Sequence, residues 1–195
     1  MTGDSRNEDS EVAARVLSGD REAYRFLVDK YGSRVLAFCR SRMNSEEDAR
    51  DAAQDVFLRA FGSLASFRQG QSFSAWLFAI AGNHMRTRFR VFSSERRKSE
   101  AAGIEAATTA PKDPVDEVER ALRGESLRRA VSALPADLRW PVELYYYAEL
   151  SVAETARVLG LGEEAVKTRL FRARKSLRRS LNGEQPKRDS RGSIV

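Results

Sequence analysis

The hydrophobic pattern of the N-terminal half predicts helices. Apolar residues recur at helical spacing in segments 12–17 and 23–39, and no segment alternates between apolar and polar positions as a half-buried strand does. Gly19 is expected to end the first of these helices, and Asp20 to cap the next one. Gly32 is expected to interrupt the second helix, because glycine weakens a helix interior.

Two further helices are predicted before the middle of the chain. Segment 45–64, SEEDARDAAQDVFLRAFGSL, has Ser45 or its predecessor as N-cap and an acidic first turn, which suits the positive end of the helix dipole. Segment 66–73, SFRQGQSF, is predicted to be a loop because Gly, Gln and Ser interrupt the pattern. A last helix is predicted from about Ser74 to Arg90 or beyond.

Segment 149–181, ELSVAETARVLGLGEEAVKTRLFRARKSLRRSL, predicts a short helix, a tight turn and a second helix. Gly160 and Gly162 supply the backbone freedom that the turn needs. The apolar positions expected to form its core are Leu150, Ala156, Leu159, Leu161, Val166 and Leu170. From Lys167 onward the other faces of the second helix are almost entirely basic, which is typical of a helix-turn-helix that enters a DNA major groove. The alternative is an ordinary helical hairpin with a solvated basic face.

Such a helix-turn-helix would make two kinds of DNA contact. The residues expected to face the groove are Lys167, Thr168, Phe171 and Arg172. Lysine and arginine hydrogen-bond to guanine edges, and an exposed phenylalanine contacts a thymine methyl group. Phosphate contacts, which position a protein without reading sequence, are expected from Arg169, Arg174, Lys175 and Arg178.

A second basic block, NHMRTRFRVFSSERRK in segment 83–98, alternates cations with aromatic residues. Arg86, Arg88 and Arg90 are interleaved with apolar residues that include Phe89. This combination suits a nucleic-acid single strand, because bases stack on rings while cations follow the phosphates. The alternative is that the aromatic side chains close the helical core and the arginines are merely solvated.

The helix in segment 45–64 carries an acidic face, formed by Glu46, Glu47, Asp48, Asp51 and Asp55. Such a face repels phosphate, and no histidine cluster or second acidic motif supports metal chemistry. It is interpreted as a docking face for a basic or polar protein partner, with Gln54, Phe57 and Leu58 beside it. The alternative is a solvated helix face.

The composition indicates the charge of the partner and the division of the chain into domains. With 195 residues, a net charge of +6 and a pI of about 9.8, the chain suits an anionic partner. Segment 93–113 has few large apolar residues and is predicted to be a flexible linker. Segments 1–9 and 184–195 are polar and are predicted to be disordered tails. An all-α fold with two small helical domains, 10–92 and 114–183, is therefore predicted.

The side-chain chemistry argues against catalysis. Cys39 and His84 are the only residues of their types, which excludes an intramolecular disulfide and leaves a zinc site short of ligands. Cys39 is expected to be buried and inert, and Trp76 to belong to the core. No known catalytic or cofactor-binding motif is present, so no enzyme, cofactor or metal is predicted. The lack of an apolar span or signal segment predicts a cytoplasmic protein without membrane insertion.

In their order along residues 10–181, these segments resemble an extracytoplasmic-function (ECF) sigma factor, a small member of the bacterial sigma-70 family. DARDAAQDVFLRAF is similar to region 2.2, and SFSAWLFAIAGNHMRTRFR to regions 2.3 and 2.4. LPADLRWPVELYYYAELSVAETARVLGLGEEAVKTRLFRARKSLR is similar to region 4 with its helix-turn-helix. The resemblance thus identifies segment 10–92 with region 2 and segment 114–183 with region 4. The short linker agrees with it, because this subgroup lacks the intervening region 3 domain.

The resemblance implies partners for these surfaces. Core RNA polymerase is expected to bind region 2.2 through its β′ clamp helices, here at Asp51, Gln54, Asp55 and Leu58, and region 4 through its β flap. The family holds a flipped base of the single-stranded −10 element in the loop after region 2.2. This implies −10 contacts at Phe67, Arg68, Gln69, Gly70, Gln71, Ser72, Asn83, Arg86 and Arg90. Contacts to the duplex −35 element are implied at Lys167, Thr168, Phe171, Arg172, Arg169, Arg174 and Lys175.

Two features depart from the family pattern. Pro141 lies inside the helix expected after Leu134-Pro135, where it removes a backbone hydrogen bond and should kink or restart the helix. Tyr145, Tyr146 and Tyr147 stand where family members often carry a charged residue, so they are candidates to face a protein partner such as an anti-sigma factor.

The sequence predicts a sigma factor that gives core RNA polymerase its promoter specificity. One alternative is a conventional helix-turn-helix regulator that dimerises on a palindromic site. A nucleic-acid enzyme with a helical DNA-binding tail is a second alternative, and it would need a catalytic cluster that the sequence lacks. The sequence leaves open whether the two domains pack together in the free protein.

Overall fold

The computed structural model of the chain describes residues 2–43, 45–100, 124 and 126–182, with the backbone alone for 2–6 and 88–100. The described residues form helices α1 (Thr2–Leu17), α2 (Tyr24–Arg40), α3 (Glu46–Gly62), α4 (Phe73–Glu100), α5 (126–132), α6 (Ala136–Val142), α7 (Val152–Leu159) and α8 (Glu163–Leu181). Short 3₁₀ turns occupy Arg21–Ala23 and Leu64–Ser66, and a π-helical turn occupies Glu143–Tyr147. The described ranges contain helices and no strand, and the all-α prediction is confirmed.

Helix α1 includes most of the segment that was expected to be disordered. The buried carboxylate of Asp9 accepts hydrogen bonds from the Tyr31 hydroxyl at 2.5 Å and from the Lys30 ammonium at 2.7 Å. Burial, together with this carboxylate, raises the pKa of the Tyr31 hydroxyl. The prediction of a disordered tail is therefore wrong for residues 2–9, because polar side chains anchor the helix on α2. Residues 184–195 lie outside the described part of the chain.

Helix α2 runs through Gly32 without a break. Its buried stripe consists of Leu27, Tyr31, Val35, Phe38 and Cys39. Burying these side chains outweighs the roughly 1 kcal/mol that a glycine costs inside a helix. The predicted interruption at Gly32 is therefore wrong, whereas the predicted burial of Cys39 is confirmed.

The helix caps are close to their predicted places. Asp20 accepts a hydrogen bond from the Ala23 amide at 3.2 Å, and so it caps the 3₁₀ turn that leads into α2 instead of α2 itself. Ser45 caps α3 by accepting a hydrogen bond from the Asp48 amide at 3.2 Å. Helix α4 continues to Glu100, so residues 93–100 of the predicted linker are helical, and 101–113 lie outside the described residues.

The chain folds into two helical units that share one hydrophobic core. Helices α1–α4 form the N-terminal unit, and α5–α8 form the C-terminal unit. Leu144, Ala148 and Leu150 of the C-terminal unit belong to the core of the N-terminal unit. The C-terminal unit also has a smaller core of its own, formed by Val131, Leu134, Val142, Ala156, Val166, Leu170 and Ala173. The units are therefore packed together in the free protein.

The backbone conformation after Pro141 explains part of the packing between the two units. Pro141 lies inside α6, which continues to Val142 and then changes to the π-helical turn. The helix is therefore not broken at the proline, but its hydrogen bonding changes two residues later. The Ala148 amide closes the turn on the Glu143 carbonyl at 3.0 Å. This wider turn directs the side chains of Glu143 and Leu144 into the interior, where both are fully buried.

Candidate nucleic-acid interface

Local hydrogen bonds fix the helix-turn-helix. Ser151 accepts a hydrogen bond from the Glu154 amide at 3.2 Å, and Glu154 accepts one from the Ser151 amide at 2.9 Å, which is a complete capping box for α7. Gly160 ends α7 in the left-handed conformation, with φ of 66°, and Gly162 is the N-cap residue of α8. Since a side chain at Gly160 would strain this backbone, the predicted need for glycine is confirmed there.

The predicted core of the helix-turn-helix is largely confirmed. Ala156, Val166 and Leu170 are buried, whereas Leu159 and Leu161 are partly exposed. Leu150 is buried too, but it packs in the core that the two units share. Burial of one stripe of α8 turns its basic residues outward.

The exposed face of α8 carries the predicted groove-facing residues Lys167, Thr168, Phe171 and Arg172. Phe171 is 64% exposed, so its ring is accessible on this face. The Lys167 ammonium lies 2.7 Å from the Glu164 carboxylate, which raises the pKa of Lys167. The structure therefore presents these four residues on one accessible face.

The four residues predicted to contact phosphate differ in their exposure. Arg174, Lys175 and Arg178 are exposed, and the Nε atom of Arg174 donates a hydrogen bond to the Leu170 carbonyl at 3.3 Å. Arg169 is half-buried and lines an open groove of about 300 Å³ between the two units. In this conformation, only the exposed residues among these four can contact the phosphates of a DNA duplex directly.

The loop predicted to contact the −10 strand is divided between accessible and covered residues. Arg68, Gln69, Gly70 and Gln71 are exposed, and Gly70 has a φ of 83°. Phe67 is 8% exposed, and its ring centroid lies 5.3 Å from that of Phe73 and 5.5 Å from that of Trp76. Ser72 is buried, and its hydroxyl donates a hydrogen bond to the Glu154 carboxylate of α7. Phe67 and Ser72 therefore do not offer an exposed contact here.

The predicted −10 residues on α4 are exposed where the structure describes their side chains. Asn83 and Arg86 are exposed, and the Arg86 guanidinium lies 4.8 Å from the centroid of the Trp140 ring. The side chain of Arg90 lies outside the described residues. Trp76 packs against the core but stays partly exposed.

The acidic helix presents three of its four predicted docking residues to solvent. Asp51, Gln54 and Leu58 are exposed, and Leu58 is 62% exposed. Asp55 is partly buried, and its Oδ2 lies 3.4 Å from Nε2 of the buried His84. The side chains of Asp51, Gln54 and Leu58 are therefore accessible to a partner in this conformation.

One contact between the units was not predicted from the sequence. The guanidinium of Arg42 forms an ion pair with the carboxylate of Glu143, and the two side chains are 2% and 0% exposed. The Ser41 hydroxyl lies 3.3 Å from the same carboxylate, and the Arg42 guanidinium lies 3.5 Å from the centroid of the Trp140 ring. Arg42 and Glu143 are 101 positions apart, and a contact between such distant residues produces no periodic pattern in the sequence.

Burial is the main cause of the pKa shifts of Arg42 and Glu143. It lowers the pKa of Arg42 to about 10, so that the guanidinium is still charged at neutral pH, and it raises the pKa of Glu143. The attraction between the two charges opposes both shifts. The ion pair therefore recovers only part of what its desolvation costs.

Within the described ranges, no group of three or more His, Cys, Asp and Glu side chains is arranged to hold a metal ion. None of the helices in that part of the chain is both long and apolar enough to cross a membrane.

Comparison with protein-family models identifies both units. Residues 27–93 match sigma-70 region 2, and residues 124–177 match sigma-70 region 4. In fold, the chain is similar to CnrH, solved in complex with the cytosolic domain of CnrY, with a TM-score of 0.68 and 28% identity over 92% of this chain and 99% of CnrH. The sigma factor RpoE, solved with the anti-sigma factor NepR from Bartonella quintana, shares the fold with a TM-score of 0.66 and 24% identity, over 83% of this chain and 98% of that one.

Several sigma factors are similar to this chain in sequence. The RNA polymerase sigma-H factor of Pseudomonas aeruginosa is 31% identical over 91% of this chain and 95% of its own length. SigW of Bacillus subtilis is 30% identical over 86% of this chain and 93% of its own. BldN of Streptomyces coelicolor is 35% identical over 88% of this chain, which spans 65% of BldN. The chain belongs to the ECF subgroup of the sigma-70 family of RNA polymerase sigma factors.

Proposed function

We propose that this sigma factor binds core RNA polymerase and directs promoter-specific initiation by contacting the −10 element with its N-terminal unit and the −35 element with α8. The observation that carries the assignment is the match of both units to sigma regions in a chain that exposes a basic recognition helix and an acidic docking helix. The same observation disfavours a conventional dimeric regulator, since α3 then has no evident role.

The −35 element is read by Lys167, Thr168, Phe171 and Arg172. These side chains lie on the exposed face of α8, and they combine donors for guanine edges with an apolar ring for thymine methyl groups. Lys175 and Arg178 bind phosphates at the C-terminal end of the same helix, and Arg169 and Arg174 supplement them.

The −10 single strand is held by the exposed part of the loop, residues 68–71, together with Asn83, Arg86 and Arg90 on α4. Phe67 supports this loop through its contacts with Phe73 and Trp76, so we assign it a positioning role. Ser72 reaches the strand only after Glu154 has moved away. The backbone freedom of Gly70 suits a loop that receives a flipped base.

Docking on core RNA polymerase uses α3. Asp51, Gln54 and Leu58 form the accessible centre of the face that packs on the β′ clamp helices, with Asp55 held beside His84. The C-terminal unit packs on the β flap. The polymerase supplies the catalytic site, and this chain supplies neither an active site nor a cofactor. We accordingly place the protein in the cytoplasm, where polymerase and promoter DNA are located.

An anti-sigma factor is a further candidate partner. Two of the similar solved structures are complexes, CnrH with the cytosolic domain of CnrY and RpoE with NepR. Tyr145 and Tyr146 are 37% and 48% exposed in this chain and pack edge to face at 5.0 Å. Such paired rings offer an apolar contact with polar tips to a protein partner.

Run-off transcription tests the assignment. Core RNA polymerase reconstituted with the full chain is expected to produce a transcript from its promoter and none from a template whose −10 and −35 elements are scrambled. No binding to core and no promoter-dependent transcript would overturn the sigma assignment.

Replacing Leu58 with aspartate is expected to weaken binding to core polymerase by roughly tenfold or more. A buried leucine side chain contributes about 1.5–3 kcal/mol, and the new carboxylate adds a desolvation cost. Leu17→Asp is the matched control, because Leu17 is 55% exposed on α1 outside the docking face. Fluorescence anisotropy of labelled protein titrated with core measures both variants. Equal affinities for Leu58→Asp and Leu17→Asp would contradict the docking role of α3.

Lys167→Ala and Arg172→Ala are each expected to cost about 1–3 kcal/mol in holoenzyme binding to a cognate promoter, and to relax preference at one −35 position. Arg21→Ala removes the same charge from an exposed site on the N-terminal unit and serves as the control. Binding is measured on promoter fragments with single −35 substitutions. A uniform loss on every fragment would show that these side chains contact phosphate and do not read a base.

A further inference from the structure

Two buried aromatic rings hold the ends of the proposed −10 loop together. Phe67 comes directly before the exposed residues 68–71, and Phe73 follows the loop as the first residue of α4. Their ring centroids lie 5.3 Å apart, and the centroid of the Trp76 ring lies 5.5 Å from that of Phe67 and 5.4 Å from that of Phe73. The packing of these rings therefore sets how far apart the two ends of the loop lie.

A buried tyrosine of α2 connects this aromatic cluster to α1. The centroid of the Tyr31 ring lies 5.4 Å from that of Phe73. The Tyr31 hydroxyl donates a hydrogen bond to the Asp9 carboxylate at 2.5 Å, the short distance that is typical of a hydroxyl bound to a charged acceptor. Tyr31 and Asp9 are 4% and 2% exposed, so water does not compete for this bond. The position of the Phe73 ring therefore depends on a carboxylate of α1.

Ion pairing fixes this carboxylate in turn. The Lys30 ammonium lies 2.7 Å from Oδ1 of Asp9 and 2.8 Å from the carboxylate of Glu8. A buried carboxylate that leaves such partners carries a large desolvation cost, so Asp9 has little freedom to move. Helix α1 also packs on the 3₁₀ turn at Leu64–Ser66, directly before the loop, and on α4, directly after it. Helix α1 therefore supports the loop from both ends.

We propose that Asp9 and Tyr31 are positioning residues for the −10 loop, and that α1 acts through them to fix the loop conformation that binds the single strand. Asp9 lies before residues 27–93, which match sigma-70 region 2, so that match gives it no role. The proposal rests on the proposed function of the loop. It does not depend on the C-terminal unit, because each of these contacts lies within the N-terminal unit.

Tyr31→Phe is the smallest change that tests this connection. It keeps the ring beside Phe73 and removes only the hydrogen bond to Asp9. Tyr24→Phe is the matched control, because Tyr24 also lies on α2 and its hydroxyl donates a hydrogen bond at 2.8 Å to the Phe57 carbonyl of α3. Both variants therefore lose one tyrosine hydrogen bond, but only Tyr31→Phe loses a connection to the aromatic cluster at the loop.

Holoenzyme binding to a labelled non-template-strand oligonucleotide that carries the −10 element measures the effect by fluorescence anisotropy. Tyr31→Phe is expected to bind this strand about tenfold more weakly than wild type, which is the change that a lost hydrogen bond to a charged group produces. Its affinity for core polymerase and the affinity of its holoenzyme for a −35 duplex are expected to be unchanged. Tyr24→Phe is expected to match wild type in each measurement. Equal affinities of the Tyr31→Phe and Tyr24→Phe holoenzymes for the strand would overturn the proposal.

Two substitutions of Asp9 separate the positioning role from a loss of stability. An asparagine loses the charge that pairs with Lys30 but keeps an oxygen that accepts the Tyr31 hydrogen bond. Asp9→Asn is therefore expected to bind the −10 strand as wild type does, and Asp9→Ala about tenfold more weakly. Both variants are expected to unfold at a lower urea concentration than wild type, because both lose the ion pair. The same loss of strand affinity in both would show that stability, and not the hydrogen bond, controls the loop.

Trypsin cleavage of the free chain after Arg68 gives a readout that needs neither polymerase nor DNA. Arg68 is exposed in the loop, and cleavage there is expected to be several times faster in Tyr31→Phe than in Tyr24→Phe, because the ends of the loop are held less closely. Mass spectrometry of the fragments identifies the cut. Equal cleavage rates would overturn the positioning role. If the wild-type holoenzyme binds a scrambled strand as tightly as the −10 strand, the proposed function of the loop is wrong, and the cleavage rates still decide whether α1 positions the loop.

Discussion

Replacing Phe38 with alanine is expected to lower the free energy of unfolding by about 3–5 kcal/mol. Phe38 is 0% exposed in the core that the two units share. Its ring centroid lies 5.6 Å from that of Phe78 in α4 and 6.3 Å from that of Trp140 in α6. Truncation removes contacts to two other helices at once and leaves a cavity that closely packed neighbours fill only in part.

Urea unfolding followed by circular dichroism measures this loss. The control is Phe171→Ala, which removes the same ring from a site that is 64% exposed. Its unfolding free energy is expected to stay within about 0.5 kcal/mol of wild type, while its binding to the −35 element weakens. The core placement of Phe38 is wrong if Phe38→Ala and Phe171→Ala unfold at the same urea concentration.

Arg42→Ala is expected to weaken the packing of the two units on each other by about 3–5 kcal/mol, because it leaves the buried Glu143 carboxylate without its ion-pair partner. Separation of the units relieves this cost by returning Glu143 to water, so the variant should open before it unfolds. The radius of gyration from small-angle scattering is therefore expected to rise, with little loss of helix signal. Arg40→Ala is the control, since the exposed pair of Arg40 with Glu46 is worth only about 0–1 kcal/mol.

The double variant Arg42→Met with Glu143→Leu separates the charge effect from simple loss of packing. Apolar side chains of similar volume in place of a buried ion pair are often neutral or stabilising by about 1–4 kcal/mol. The double variant is therefore expected to be as compact as wild type. An open double variant would show that the shape of the side chains, and not their charge, sets the closure.

Where structure is local, the sequence was sufficient to predict it. The stripe of Val166, Leu170 and Ala173 in α8 and the glycine turn before it follow from helical spacing and backbone freedom. A buried stripe forces the charged residues of the same helix outward, so the exposure of Lys167 and Arg172 was predictable as well.

The failures have a common cause in packing between distant segments. Gly32 does not end α2, because the side chains around it are buried against other helices. The N-terminal segment is helical, because Asp9 meets Lys30 and Tyr31. Phe67 is covered by an aromatic cluster, although its polar neighbours mark a loop. In each case a tertiary contact outweighs a local preference of about 1 kcal/mol.

By itself, the sequence determined that this sigma factor is all-helical and which face of α8 carries its exposed basic residues. These features depend on periodicity, capping and charge within one segment. Only the tertiary structure decided that Arg42 meets Glu143, that Glu154 covers Ser72, and that the two units close on each other. Such pairings join residues about 80 to 100 positions apart, and they depend on how packed helices bring buried charges together.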